Sequence, residues 1–134
     1  MRRGRQGQVA FESALALTAF LLMLFGVLDV ARAYWAWQAL GNAAREGARW
    51  AIVHGSESGL TKKQTEDQLA DYVEQQFGKA LPQGWKSKVK WPSNSNDPGE
   101  PVQVEIESDF NAATPFLGLK KLKLSGASEM RILR

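Results

Sequence analysis

The chain has 134 residues, no cysteine and a formal net charge of +3, which leaves room for one modest domain and a membrane anchor. Without cysteine, disulfides, thiol catalysis and cysteine-based zinc or iron–sulfur sites are excluded. Three of the 17 basic residues lie within residues 1–7, so the rest of the chain carries 14 basic and 14 acidic residues. The basic balance therefore comes from the N-terminus and gives little support for nucleic-acid binding.

Residues 14–28 form an uncharged apolar run. Continued to Tyr34 and Trp35, the run exceeds the roughly 20 residues that a helix needs to cross a bilayer. The aromatic residues at its end are typical of a membrane interface, and arginines before the run favour a cytoplasmic N-terminus. The sequence predicts a single-pass membrane helix with residues 36–134 outside the cytoplasm.

Two acidic residues flank this run. Glu12 precedes it, and Asp29 follows it with Arg32 three residues later. That spacing predicts an intramembrane ion pair between Asp29 and Arg32 on one helix face, or the same pair at the interface. Ionisable groups at membrane depth are usually functional or paired. Glu12 is thus either a functional acid or a carboxylate at headgroup level.

A second interpretation of the N-terminus is an ordinary secretory signal peptide. Ala31-Arg32-Ala33 follows a basic region and an apolar region, as a cleavage site of that kind does. The helical pattern, however, does not stop at Ala33, and no proline occurs before Pro82. We therefore favour a helix that continues from Gln8 to Val53.

The outer half of this helix carries small residues at steps of four, namely Ala39, Ala43, Gly47 and Ala51. A stripe of small side chains allows another helix or a sheet to approach closely. We expect these positions to be the helix-packing face, on which a soluble head is built.

The remaining sequence predicts one more helix and three strands. Thr61 and Gln64 have capping-box spacing and open a helix that stops near Gly78. Alternating apolar and polar residues predict strands over 85–91, 102–107 and 122–132. The expected fold is α+β: a long N-terminal helix packed by its outer half on a small head with a second helix and a three-stranded antiparallel sheet.

Motifs for catalysis are absent from the sequence. No nucleophile elbow, P-loop or dinucleotide fingerprint occurs, and the lone histidine, His54, has the position of a helix cap. Asn94, Asn96, Asp97 and Glu100 do not follow the calcium-loop pattern and are expected in a solvated loop. We predict a non-enzymatic protein with no cofactor, no metal site and no small-molecule substrate.

A lysine-rich strand allows two interpretations. Lys86, Lys88 and Lys90 share one face, between Trp85 and Trp91. The lysines and tryptophans either follow a nucleic-acid backbone with stacked bases, or form a solvated strand face with the tryptophans turned inward. We favour the second interpretation.

Gly7, Glu12 five positions later and the hydrophobic helix that follows resemble the class III signal peptide of type IV pilins and pseudopilins. Residues 29–34 and 42–49 are more specifically similar to TadE-like proteins of the tight-adherence (Tad) pilus. The resemblance covers roughly residues 4–55. For the whole chain it implies a pilin-like fold and a structural role as a minor pilin or pseudopilin in a pilus used for adhesion.

The resemblance also implies roles for single residues. A prepilin peptidase would cut the Gly7–Gln8 bond and release a basic leader, residues 1–7. Glu12 would then pair with the N-terminal ammonium of a neighbouring subunit. Residues 8–35 would be the membrane anchor and filament core, and residues 36–134 the extracytoplasmic head. The implied partners are the peptidase, other pilin subunits and the membrane, first the inner membrane and then the pilus at the cell surface.

The alternative that stays open is a membrane-anchored or secreted binding module. In that case the anchor is uncleaved, or an ordinary signal peptide is removed. The head would then recognise a surface, a polysaccharide or DNA.

Overall fold

The structure is a computed structural model that describes residues 2–54, 59–113 and 121–133, with side chains from Gly7 onward. In chain order, the elements are α1 (Arg2–Ile52), α2 (Lys62–Phe77), β1 (Lys86–Lys90), β2 (Pro101–Phe110) and β3 (Leu122–Arg131). The predicted α+β fold is confirmed, because α1 packs by its C-terminal half against an antiparallel sheet while α2 covers part of the same core.

Helix α1 is one uninterrupted α-helix of 51 residues, about 76 Å long at 1.5 Å per residue. It begins at Arg2, before the predicted start at Gln8, and ends at Ile52. Within it, Gly7–Ile52 is long and apolar enough to cross a membrane. The N-terminal half extends away from the head, and its apolar side chains are exposed.

Helix α2 opens with the predicted capping box. The Thr61 hydroxyl accepts from the Gln64 backbone N–H, and the Gln64 side chain accepts from the Thr61 N–H at 2.9 Å. One turn later the buried Thr65 hydroxyl donates to the His54 carbonyl at 3.2 Å. This bond ties the first turn of α2 to the end of α1, so the two helices meet the sheet as one layer.

The sheet has the order β1-β2-β3, and both pairs are antiparallel. Central strand β2 is longer than predicted and runs to Phe110, with its inward side chains Val102, Val104 and Ile106 fully buried. Pro101 is the first residue of β2, where a missing backbone donor is tolerated. Strand β1 is one residue shorter than predicted at each end, so both flanking tryptophans lie just outside it.

Helix α1 approaches the sheet closely at Gly126 of β3. A Cβ atom placed on Gly126 would lie 2.5 Å from the backbone nitrogen of Gly41. A Cβ on Gly47 would lie 3.3 Å from Val104 of β2 and 3.5 Å from Leu69 of α2. The core therefore depends on residues without bulk on both α1 and β3, which lets the α1 backbone lie directly on the sheet.

Candidate functional site

The predicted processing segment lies in the exposed first turns of α1. Gly7 and Gln8 are both helical and exposed. A Cβ atom on Gly7 would meet nothing within 4 Å among the described residues. The structure thus leaves the Gly7–Gln8 bond, the predicted cleavage site, exposed on the surface of α1.

Glu12 lies one helical turn after Gln8. Its carboxylate accepts a hydrogen bond at 3.1 Å from the Gln8 side-chain amide, and both residues are exposed. An amide is a neutral donor, so among the side chains that the structure describes the negative charge of Glu12 has no opposite charge in contact. An uncompensated carboxylate is costly in apolar surroundings.

The helix beyond Glu12 is apolar on all sides and lacks cover from its own chain. Phe11 and Met23 are 71% and 73% exposed, and the other large side chains of this segment are also exposed. A helix that is apolar all round belongs in a membrane or in a bundle with other helices. The segment is therefore a surface made for lipid or for partner helices.

Asp29 marks the end of this exposed segment. It forms the predicted ion pair, since an Arg32 Nη1 donates to Asp29 Oδ1 at 3.1 Å. Asp29 is also 4% exposed and accepts at 3.0 Å from the backbone N–H of Ala113, which follows β2. The Arg32 guanidinium lies 5.6 Å from the ring centre of Phe110, within cation–π range.

This docking of the head on Asp29 was missed at the sequence level. Ala113 is 84 residues away in the chain, and helix spacing gives no signal for such a contact. Asp29 and Arg32 thus lie at the edge of the head that is nearest the exposed half of α1, where β2 ends against α1.

The predicted helix-packing stripe faces the head of the same chain. Ala43 and Ala51 are fully buried, Gly47 is buried, and Ala39 is partly buried. Their neighbours are the sheet on one side and α2 on the other. These small residues therefore support the intramolecular core.

Two of the three lysines of the lysine-rich strand form ion pairs with glutamates of β2. Lys88 Nζ lies 2.6 Å from a Glu107 carboxylate oxygen, and Lys90 Nζ lies 2.7 Å from a Glu105 oxygen. The Lys88 hydrogen bond lowers the pKa of Glu107, and the same bond raises the pKa of Lys88. Opposite charges side by side do not form the continuous positive track that a phosphate backbone needs.

The two tryptophans beside these lysines turn toward α2. The Trp85 indole donates to Glu74 at 3.2 Å, and the Trp91 indole donates to Glu66 at 3.1 Å. Both rings are partly buried against the core. They anchor the ends of β1 to α2, and their faces are not free for stacked bases.

A groove of about 750 Å³ opens between α1, the loop before β1 and the end of β2. Sequence reasoning did not find it, because three separate segments build it. Trp35, which is 80% exposed, stands at its wall. Apolar and hydrogen-bonding side chains both line the groove. The hydrogen-bonding ones include Gln38, Asn42, Gln83 and Asp109.

Metal-ligating side chains do not cluster in the described ranges. No group of three or more histidine, aspartate or glutamate side chains there is placed to hold a metal ion. His54 stacks on Trp50 with ring centres 3.9 Å apart, and its Nδ1 lies 2.7 Å from the Trp50 carbonyl oxygen. His54 thus closes the last turn of α1, the position that the sequence indicated.

A family model described as TadE-like protein matches residues 7–49 of the chain. The matched range contains Gly7, Glu12 and the Asp29–Arg32 pair and lies entirely within α1. No curated protein and no solved structure matches the chain. The resemblance inferred from the residues is confirmed over this range, in which the chain is similar to the TadE-like family.

Proposed function

We propose that this protein is a structural subunit of a Tad-type pilus, a minor pilin or pseudopilin that a prepilin peptidase cuts at the Gly7–Gln8 bond. The observation that carries the proposal is the exposed apolar part of α1, which lies within the TadE-like match. Such a segment must be covered by lipid before assembly and by other helices afterwards. Its role is to insert, to be processed and to pack, and none of these steps requires catalysis by the subunit itself.

The geometry of α1 supports a specific depth in the membrane. Residues 8–28 would span about 31 Å as a helix, close to the roughly 30 Å of bilayer hydrocarbon. Asp29 follows at once and is bound to the head through Ala113. We therefore place the Asp29–Arg32 pair at the outer interface, with the head directly on the outer surface of the inner membrane.

Glu12 is the proposed assembly residue. Cleavage after Gly7 would create an ammonium group at Gln8, one helical turn from Glu12 of the same chain. Within a bundle of such helices, the carboxylate of one subunit can receive the ammonium of the next. An opposite charge relieves the cost of a buried carboxylate, and the pairing fixes the axial register between neighbouring subunits.

Processing is tested by the N-terminus of the native protein, purified through a tag on its C-terminal head. Intact mass and N-terminal sequencing are expected to give a chain that begins at Gln8. A chain that begins at Tyr34 would indicate an ordinary signal peptide, and one that begins at Met1 a permanent anchor. Either of these results contradicts the proposal.

Assembly is tested by Glu12→Gln, which removes the charge and keeps the shape. We expect normal processing and membrane insertion of this variant, but loss from the sheared filament fraction. Glu129→Gln is the matched control, because Glu129 is an exposed acid on β3 far from the apolar segment. Equal incorporation of both variants would refute the assembly role.

The groove favours one form of the binding-module alternative. An exposed tryptophan beside amide and carboxylate groups suits a saccharide, whose apolar ring face stacks on indole while its hydroxyls exchange hydrogen bonds. DNA is disfavoured, since two of the three lysines of β1, Lys88 and Lys90, are paired with glutamates.

If the groove binds a saccharide, the detergent-solubilised protein should be retarded in a gel that contains a cell-surface polysaccharide. Trp35→Ala should abolish the retardation. Trp37→Ala should preserve it, because Trp37 is half exposed but does not line the groove. Mobility that is unaffected by the polysaccharide, or equally affected in both variants, would exclude binding in the groove.

A further inference from the structure

The structure draws attention to Gln8, the residue that the proposed cleavage would place at the N-terminus. A glutamine in that position differs from other residues because its α-amine and its own side-chain amide can join in a five-membered ring. We infer that Gln8 is a modification site, at which the freed N-terminus closes to pyroglutamate in competition with pairing to Glu12. This inference rests on the proposed cleavage between Gly7 and Gln8.

The reaction needs no co-reactant. The lone pair of the neutral α-amine attacks the side-chain Cδ of Gln8, and a new C–N bond forms. The bond from Cδ to Nε2 breaks, the nitrogen takes up the proton that the amine gives up, and ammonia leaves. The product is a neutral lactam in which the former amine has lost its ability to become an ammonium.

Glu12 opposes ring closure in the geometry of the chain. Its carboxylate accepts from Gln8 Nε2 at 3.1 Å, with Glu12 four residues further along the helix. This hydrogen bond draws the carboxamide along the helix toward Glu12, away from the backbone nitrogen of Gln8. A side chain held in that direction must first release Glu12 before its Cδ can meet the amine.

Assembly into a filament is a second effect that opposes ring closure at Gln8. An α-amine has a pKa of about 8 in water, and a nearby carboxylate favours its protonated form. A protonated amine has no lone pair for attack. A subunit whose ammonium is paired in a filament therefore keeps its free amine, whereas a processed subunit that waits in the membrane gradually loses it.

The consequence is a limited lifetime for assembly-competent subunits. Once the lactam has formed, the N-terminus carries no charge for the Glu12 of a neighbour. The same residue that gives the new N-terminus thus also sets how long it stays usable. A filament built with this subunit would therefore take up recently cleaved molecules whose N-terminus has not yet closed to the lactam.

The test compares the processed protein in the membrane with that in sheared filaments, by mass spectrometry of the N-terminal peptide. Samples are acidified at extraction, because protonation of the amine stops ring closure. A synthetic peptide beginning at Gln8 is added at lysis and reports any ring closure caused by handling. Glu12→Ala and Gln8→Ala are measured alongside the wild type, the second as a variant that has an amine but no carboxamide.

We expect a larger fraction of the N-terminal peptide to be lighter by one ammonia, and thus to carry the lactam, in the membrane sample than in the filament sample. Glu12→Ala should raise the lactam fraction in the membrane severalfold, and Gln8→Ala should give a free amine throughout. A chain that starts at Gln8 but keeps its amine in both fractions, or shows equal lactam in both, overturns this inference alone. A chain that starts at Met1 or Tyr34 overturns the proposed cleavage, and the inference with it.

Discussion

The contact between Gly126 and the α1 backbone leaves no room for added bulk. In Gly126→Ala, the new methyl group would lie 2.5 Å from Leu40 C and Gly41 N and 2.6 Å from Gly41 Cα. Ordinary van der Waals contacts begin at about 3.4 Å, so α1 must move away from β3 by about 1 Å. A gap of that size forfeits a quarter to a half of the dispersion attraction at each affected contact.

The cost follows from which atoms must move. Overpacking that side chains can absorb costs about 1–3 kcal/mol. At Gly126 the opposing atoms are all backbone atoms of a regular helix, so no side chain can turn aside. We therefore expect a loss of about 3 kcal/mol, which lowers the melting temperature of a head of this size by roughly 12 °C or more.

The assay is thermal unfolding of the full chain in detergent, followed by tryptophan fluorescence, since Trp50 and Trp91 pack against the core. Gly41→Ala is the matched control on the opposite side of the same contact. Its Cβ would have a single neighbour within 4 Å among the described residues, the Arg45 guanidinium at 4.0 Å, and alanine favours a helix by up to about 1 kcal/mol. Equal melting temperatures for Gly126→Ala and wild type would refute the close approach.

Three further outcomes are expected from the head. Asp29→Ala removes the acceptor of the Ala113 N–H and should cost about 1–3 kcal/mol of stability. Asp29→Asn keeps an acceptor oxygen and should cost less in the same melting assay. Equal melting temperatures for Asp29→Ala and wild type would argue against the docking of the head on Asp29. Lys88 lowers the pKa of Glu107, so the pair stabilises the fold above the unfolded pKa of glutamate and loses that contribution as the pH falls through the folded pKa. In Lys88→Met the carboxyl titration of Glu107, followed by NMR, should move up toward the ordinary value, and an unchanged titration would contradict the ion pair. Burial raises the pKa of Tyr72, and the charge and hydrogen bond of Glu46 raise it further. Glu46→Gln should therefore let the tyrosine ionise at lower pH in an ultraviolet absorbance titration, and an unshifted curve would rule out the contact.

The elements of the fold could be predicted because each leaves a local pattern. Alternation gave all three strands, and the Thr61–Gln64 capping box gave the start of α2. The end of β2 was missed because Ser108 puts a polar residue on the inward face and so interrupts the apolar alternation. Helix α1 begins at Arg2 and not at the predicted Gln8, so it runs through Gly4 and Gly7 although glycine weakens helix propensity.

The candidate site could be predicted only where its contacts are local. The Asp29–Arg32 pair follows from helix spacing, but its bond to Ala113 depends on how a strand 80 residues later meets α1. The stripe of small residues indicated that something approaches the helix closely, but not that Gly126 of the same chain does so. The groove could not be inferred either, since α1, the loop after α2 and the end of β2 come together only in the folded head.

The two acids at the ends of the apolar segment show how the chain divides its interactions. Asp29 is satisfied from within, because Arg32 supplies a charge and Ala113 supplies a backbone donor. Glu12 receives a neutral amide from Gln8 among the described residues, which leaves its charge for another molecule. An acid that is fully paired in its own chain fixes the head on the helix, whereas an acid that is half satisfied must find its counter-charge elsewhere. On the proposed function, that difference assigns Asp29 to the fold of the subunit and Glu12 to the filament.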